Sequence, residues 1–217
     1  LDYFHVNSIS DGPNGPILVS ARNTSTIYLL GRDGHVIWRL GGKHSQFGPK
    51  AAVTFYFQHD ARLHPDGTLS LFDNGGIPRK EPHSRPLLLK VDQHAKRVTI
   101  LKTFVAPTKI ASPYEGDTEL LPDGGAFVGW GGVPKLTEFA PDGKVRFQLS
   151  LPYGDTYRGY RLAWSGAPGG HPAAAVRDGK VYASWNGESG IAKWQVLAGG
   201  TVVASAAWSG LAAAIAV

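Results

Sequence analysis

The sequence predicts an all-β chain organised as a β-propeller, and three observations carry that reading. Glycine (28) and proline (15) approach a fifth of the 217 residues, so turns are frequent and long helices are disfavoured. Short apolar runs recur in the same phase about every 50–60 residues, a period in the range of propeller blades. Asp-Gly dipeptides separate many of these runs, and glycine accepts the positive φ that a tight hairpin turn needs.

The first unit reads as strands at 5–9, 17–20, 27–30 and 36–40, with turns at Asn14-Gly15 and Asp33-Gly34. The second has strands at 58–62, 68–72, 87–91 and 98–104, with turns at Asp66-Gly67 and near Asp92-Gln93. The third has strands at 114–119, 126–130, 136–139 and 145–149, turning at Asp123-Gly124 and Asp142-Gly143. The fourth has strands at 157–161, 180–185, 191–196 and 202–206, turning at Asp178-Gly179 and Gly199-Gly200. Each unit is expected to be one four-stranded antiparallel blade, at approximately 1–42, 57–104, 114–151 and 158–208 of a single domain over 1–217. A lone four-stranded sheet leaves its faces and edges open, and radial stacking covers them. A β-sandwich of unrelated hairpins is the alternative, and in-phase copies argue against it. Longer segments at 42–56, 76–86, 105–116 and 152–176 share one phase, so they are expected on one face, where ligands bind.

Composition narrows the chemistry. Apolar residues make up 42% and charged residues 18%, which fits a globular chain with a core and not a disordered one. There is no cysteine, which excludes disulfides, thiolate zinc sites, iron–sulfur clusters and a cysteine nucleophile. The chain contains no methionine, opens with Leu1-Asp2-Tyr3-Phe4-His5 and closes in an alanine-rich run; it is expected to be an excerpt of a longer polypeptide. The apolar stretch 211–217 is too short to cross a bilayer. Net charge is +5, with basic and acidic residues interspersed. That describes a mildly basic surface or a positive pocket for an anionic substrate, and no nucleic-acid reader motif is present.

The first strand of each blade faces the central channel. Here those strands read His5-Val6-Asn7-Ser8-Ile9, Gln58-His59-Asp60-Ala61-Arg62, Tyr114-Glu115-Gly116-Asp117-Thr118-Glu119 and Tyr157-Arg158-Gly159-Tyr160-Arg161. Ionisable groups buried in a channel are costly unless paired or used, so this concentration marks the candidate site; a packed hydrogen-bond network is the alternative. His5 and His59 share one phase of the repeat. His35, His44, His64, His83 and His94 fall in turns or loops and are expected at the surface, and His171 in a Gly-Gly-His-Pro loop is expected to be structural. Two histidines with Asp60 have no tight ligand spacing, so no metal and no cofactor is expected. The chain lacks a Gly-x-Ser-x-Gly nucleophile elbow, which argues against a serine hydrolase. Asn23-Thr24-Ser25 is a sequon of the kind chance supplies.

Taken together, an ordered series of motifs resembles the arylsulfotransferase (aryl sulfate sulfotransferase, ASST-like) family in its actinobacterial and fungal branch. The series is Asp2-Tyr3-Phe4-His5-Val6-Asn7-Ser8-Ile9, Leu18-Val19-Ser20-Ala21-Arg22, Val36-Ile37-Trp38-Arg39-Leu40-Gly41-Gly42 and Phe57-Gln58-His59-Asp60-Ala61-Arg62. It continues with Leu71-Phe72-Asp73-Asn74-Gly75, Ser84-Arg85, Phe127-Val128-Gly129-Trp130-Gly131, Tyr157-Arg158-Gly159-Tyr160-Arg161 and Ser184-Trp185-Asn186-Gly187.

The resemblance implies a six-bladed propeller of which four blades are present, and export to the cell envelope or medium. It implies ping-pong transfer of a sulfuryl group from an aryl sulfate to a phenolic acceptor through a sulfated histidine, without a nucleotide sulfate donor. By motif, His5 and His59 match the family's active-site histidines and Arg79 its sulfuryl-binding arginine, with Arg85 a second candidate. Asn7 and Gln58 would orient the histidines or substrate, and Asp60, Asn74, Tyr157 and Arg161 complete the substrate-binding candidates. Arginine and histidine donors suit the charge that builds on sulfuryl oxygens as the aryl–oxygen bond breaks, and a neutral imidazole is a competent nucleophile near neutral pH. The resemblance also implies a further histidine, from a later blade, that accepts the sulfuryl group, and the chain departs from this because residues 112–119 contain none. The nucleophile is then His59 or His5, or a histidine in the missing blades, or this branch does different chemistry. Two other functions compete: a non-catalytic exported propeller that binds a ligand or protein, and another hydrolase or lyase using the same polar funnel.

Overall fold

The computed structural model describes residues 2–12, 15–48 and 53–217. Asn14 of the first predicted turn and residues 49–52 of the first long insertion lie outside the described residues. Every regular element described is a strand.

Residues Leu1–Arg161 form one compact unit. Within it β1 (Val6–Asp11), β2 (Ile17–Ala21), β3 (Thr26–Leu30) and β4 (Val36–Gly41) make an antiparallel sheet in chain order. So do β5 (His59–Leu63), β6 (Thr68–Asp73), β7 (Arg85–Asp92) and β8 (Arg97–Thr103). The third sheet repeats the pattern with β9 (Asp117–Leu120), β10 (Ala126–Gly129), β11 (Lys135–Phe139) and β12 (Val145–Ser150). The first three predicted units are therefore four-stranded meanders, as the turn spacing required.

The sheets stack through two apolar layers. Leu18, Ile27, Leu29, Trp38 and Leu40 of the first sheet meet Leu69, Leu71, Leu87 and Leu89 of the second. Phe72 and Phe104 meet Ala126, Val128, Trp130 and Phe139 on the other side. Strand β6 serves both layers because successive side chains point to opposite faces: Leu69 and Leu71 one way, Phe72 the other. The run 68–72 alternates Thr68, Leu69, Ser70 and Leu71 before Phe72, and Ser70 is buried with its apolar neighbours. Each fully buried leucine or phenylalanine contributes about 1.5–3 kcal/mol of transfer free energy. The Trp130 ring stands edge-on to Phe72 at 5.7 Å, and its indole N–H donates to Thr137 Oγ1 at 2.9 Å, so no polar atom is stranded there. The first strands lie side by side, β5 against β1 and β2, and β9 against β5 and β6.

Residues Leu162–Val217 form a second compact unit, and here the prediction of a fourth four-stranded blade does not hold. Strands β13 (Ala173–Arg177), β14 (Lys180–Ser184) and β17 (Ala212–Ala216) make a three-stranded sheet, while β15 (Lys193–Ala198) and β16 (Thr201–Ala207) make a separate hairpin. The Asp178-Gly179 turn does join β13 to β14, with φ of 51° and 68°, the pair of positive values a type I′ turn needs. The edge of β14 expected to receive β15 is occupied by β17, in register from Lys180 opposite Ala216 to Ser184 opposite Ala212. The predicted inner strand at 157–161 is irregular instead. Two of its backbone donors are spent on the third sheet: Gly159 N–H donates to Asp117 Oδ1 at 2.9 Å and Arg161 N–H to Glu119 Oε2 at 2.6 Å. An N–H group satisfied by a side chain is not available to a strand ladder.

Candidate active site

In the first unit, one end of the first two sheets gathers the starts of β1 and β5, the β2–β3 turn and the loops after β6 and β8. Backbone there departs from ordinary strand geometry. His5, Phe57, Asp60 and Glu115 have φ between 49° and 57°, a left-handed conformation that costs of order 1–3 kcal/mol at a non-glycine residue and gathers at functional sites. His5, Phe57 and Glu115 stand one or two residues ahead of the first strand of their sheets.

His59 is the centre of this end. It is 4% exposed, and both ring nitrogens are in use. The backbone N–H of Glu115 donates to Nε2 at 3.2 Å, so Nε2 carries the lone pair and Nδ1 the hydrogen. Nδ1–H then donates to Asn74 Oδ1 at 2.7 Å, with Phe57 O at 3.0 Å as a second acceptor. The Asn74 amide is itself oriented, because its Nδ2 donates to Glu115 O at 2.9 Å and Ser112 O at 3.3 Å. Burial pushes the pKa of His59 down to about 4; the Asn74 hydrogen bond opposes this and the charge of Arg22 adds to it. The ring is neutral at neutral pH.

Arg22, at the end of β2, lies between the same segments. Its guanidinium stacks on the Phe57 ring at 4.1 Å and donates to Asn23 Oδ1 at 2.7 Å and Pro113 O at 3.2 Å. His5 is next to it: Arg22 N–H donates to His5 O at 2.9 Å, and the His5 ring hydrogen-bonds Asp2 through Nδ1. Arg79 is exposed, with Nη2–H donating to Asn74 O at 3.0 Å and Nε–H to Glu81 O at 3.1 Å. Thus His5, His59, Asn74 and Arg79 of the predicted set come to one end of the sheets, and Arg22 joins them.

The remaining predicted residues have other surroundings. Gln58, wholly buried, donates through Nε2 to Ser20 Oγ at 2.9 Å and Thr26 O at 3.2 Å, and its backbone carbonyl accepts from Asn7 Nδ2 at 2.7 Å. These bonds lace the first strands of the two sheets together. The pairing of β5 with β6 is irregular between His59 and Arg62, the stretch that holds Asp60. Asp60 pairs with Arg62 at 2.7 Å and Arg158 at 3.5 Å, and Asp117 lies close by. Burial pushes Asp117 up to about 7, opposed by the Gly159 and Gly129 N–H groups and reinforced by Asp60. Arg85 is held by Asp73 at 2.7 Å and Glu81 at 3.2 Å, tying the loop after β6 to its strand. Tyr157 is exposed beneath the Arg158 guanidinium, and Arg161 pairs with Glu138 at 3.1 Å on the third sheet. His64, expected at the surface, is half-buried and bonded to Ser70 Oγ at 2.8 Å.

Sequence reasoning passed over Arg22, Asp2 and Arg158. The available signal was position: Arg22 ends one of the ordered motifs, Asp2 stands three residues before His5, and Arg158 belongs to a polar first-strand segment. A cavity of about 340 Å³ lies beside Ser25 and Tyr56, lined also by Leu40, Phe47, Phe55 and Val98, and no predicted site residue lines it. Among the described residues, no group of three or more His, Cys, Asp or Glu is arranged to hold a metal ion. No described helix is long and apolar enough to cross a membrane.

Comparison with solved structures finds likeness at low identity. A protein of unknown function from Bacteroides caccae is 16% identical with a TM-score of 0.45, covering 94% of this chain and 61% of that one. Virginiamycin B lyase from Staphylococcus aureus is 15% identical with a TM-score of 0.42, over 72% of this chain and 44% of the other. A GH43 protein from Bacillus licheniformis is 15% identical with a TM-score of 0.39, over 84% and 36%. The chain spans less than two thirds of the length of each. No curated protein matches it. The sequence profile of the arylsulfotransferase (ASST) family matches residues 1–151, a span that ends with the third sheet and includes His5, Arg22, His59, Asn74 and Arg79. By that match, the chain belongs to the arylsulfotransferase (ASST) family.

Proposed function

We propose that this protein transfers a sulfuryl group from an aryl sulfate to a phenolic acceptor through a histidine intermediate, without a nucleotide sulfate donor. The sheets serve as successive blades of a β-propeller, completed by blades outside this chain, and the protein works outside the cytoplasm. One observation carries the reading: two imidazoles and two guanidiniums from successive sheets meet at one end, around His59.

That set suits an anionic ester. A guanidinium offers planar N–H donors to sulfuryl oxygens and holds its charge at any working pH. Donors fixed before the reaction stabilise the transition state without reorganising. A neutral histidine retains the lone pair that forms a nitrogen–sulfur bond. His59, locked by Asn74 and Glu115, orders the loops after β6 and β8 around the place where the ester would sit.

The test uses the whole protein with 4-nitrophenyl sulfate, in the presence and absence of a phenol. The expected result is nitrophenolate release that depends on the phenol, with the aryl sulfate of the acceptor as product. His59→Ala is expected to slow transfer by about 10²-fold through misplacement of the loops. Release that ignores the phenol would make the protein a hydrolase. No release by folded protein would overturn sulfuryl transfer and leave a binding propeller.

A further inference from the structure

We infer that the second compact unit carries a carbohydrate-binding groove. In it Trp185 and Trp194 stack on the pyranose rings of a neutral oligosaccharide, and Glu188 and Lys193 bond its hydroxyls. The inference stands apart from sulfuryl transfer and concerns residues beyond the span 1–151 matched by the family profile.

Tryptophan serves two different ends in this chain. Trp38 and Trp130 of the first unit are wholly buried and belong to its two apolar layers. The other four of the six, Trp164, Trp185, Trp194 and Trp208, lie in the unit Leu162–Val217. The buried apolar residues of that unit are Ala183, Ala213 and Ile215, so its indoles do not form a core. Trp164 and Trp208 are exposed, and Trp185 and Trp194 are half-buried. Aromatic surface gathered outside a core marks a place where something binds. Trp185 also belongs to the last of the ordered motifs, at 184–187, which the site in the first unit does not use.

Trp185 and Trp194 line one cavity of about 450 Å³ together with Glu188, Ile191, Lys193 and Pro172, a volume in the range of small-molecule sites. It lies where the loop from β14 to β15 meets the approach to β13. Hydrogen bonds hold that loop against the segment before β13. Trp185 Nε1–H donates to Gly170 O at 3.0 Å, Ser189 N–H to Gly166 O at 3.0 Å and Gly166 N–H to Ser189 Oγ at 2.9 Å. The Trp185 indole is thus anchored before any ligand arrives, which lowers the ordering cost of binding. Trp194 differs. Its Nε1–H is buried without an acceptor among the described residues, an unfavourable state that a turn of the ring toward a ligand oxygen relieves.

Charge selects the class of ligand. Glu188 Oε1 accepts from Gly190 N–H at 2.6 Å, and neither Glu188 nor Lys193 makes an ion pair among the described residues. The groove therefore offers one carboxylate and one ammonium, each with bonding capacity left. An anion is opposed by Glu188 and a cation by Lys193. An apolar partner would bury both groups without hydrogen bonds, which is strongly unfavourable. A neutral sugar meets both demands. The C–H bonds on one face of a pyranose lie against the negative face of an indole. Its hydroxyls donate to Glu188 and accept from Lys193.

The experiment titrates the whole protein by calorimetry with neutral oligosaccharides of glucose, xylose, mannose, galactose and N-acetylglucosamine. The expected result is saturable binding of at least one of them, unchanged by salt because the ligand carries no charge. Trp185→Ala is expected to weaken that binding by about tenfold or more, and Glu188→Gln by about fivefold. Trp185→Tyr keeps a ring face and is expected to lose less than Trp185→Ala, which separates lost stacking from lost folding. Trp164→Ala, outside the groove, is expected to bind as the wild type does. Folded protein that binds none of these sugars, or Trp185→Ala that binds with full affinity, would overturn the inference while leaving sulfuryl transfer standing. Binding that weakens steeply with salt would also overturn it, because the ligand would then be charged.

Discussion

Asn74 illustrates how much a single amide decides. Its Nδ2 is committed to Glu115 O and Ser112 O, so its oxygen faces His59, and the ring can only donate to it through Nδ1. That bond, rather than the identity of the histidine, sets the tautomer of His59. Asp117 shows the same dependence on surroundings. Its folded pKa of about 7 lies above the ordinary value of 3.8 because burial disfavours the charge. The folded chain therefore binds that proton more tightly than the unfolded chain does. The cost of the buried carboxylate is full above pH 7 and is relieved as pH falls from about 7 toward 4. Asp117→Asn keeps an oxygen that can accept from Gly159 and Gly129 and removes the charge. It is expected to raise stability by about 1–3 kcal/mol above pH 7, with the gain shrinking toward pH 4. Urea unfolding of both proteins across this range tests it; a gain that does not vary with pH would refute the assignment. The residue types of the site were legible in the sequence as a polar first-strand series. Which of them pair with one another was not, because Asp60, Arg85 and Arg161 meet their partners through folding.

At the scale of elements, the Asp-Gly turns, the alternation of 68–71 and the continuous apolar run 126–128 were sufficient to locate strands, because hairpin geometry and burial are local demands on composition. Close approaches between loops are different. Gly131 has φ +58°, and a Cβ there would lie 2.1 Å from the carbonyl oxygen of Tyr114. Its own carbonyl accepts from Thr156 N–H at 2.8 Å, so the residue joins the loop before β9 to the segment after β12. Gly143 also has positive φ, at +83°, but open space around it. Gly143→Ala is expected to cost about 1 kcal/mol from backbone strain alone, and Gly131→Ala about 2–4 kcal/mol, since a backbone carbonyl must also move. Chemical denaturation distinguishes them; equal costs would mean that the loop yields freely. The fourth predicted unit failed as a blade for a related reason. Its sequence has the same turns as the other three, but the alanine-rich end of the chain takes the edge of β14, and no local signal ranks two strands competing for one edge.

Across the whole molecule, burial is concentrated where sheets face each other. Strands β6 and β10 are buried along nearly their full length, whereas β12 and β13 are exposed along nearly all of theirs. Opening a strand packed on both faces exposes the most apolar surface, so amide exchange is expected to be slowest in β6 and β10 and much faster in β12, β13, β15 and β16. Exchange followed by mass spectrometry on the whole protein reads this directly. Uniform protection through both compact units would contradict it.

The sequence by itself determined the all-β class, three complete meanders and the family, because turn chemistry, apolar patterning and ordered motifs are written along the chain. Only the tertiary structure decided that His59 is capped at both nitrogens, that Arg22 makes no ion pair among the described residues, and that residues 162–217 divide into a three-stranded sheet and a hairpin. These are outcomes of competition among distant groups for hydrogen-bond donors, charges and strand edges, and they are resolved only when the chain brings those groups within reach.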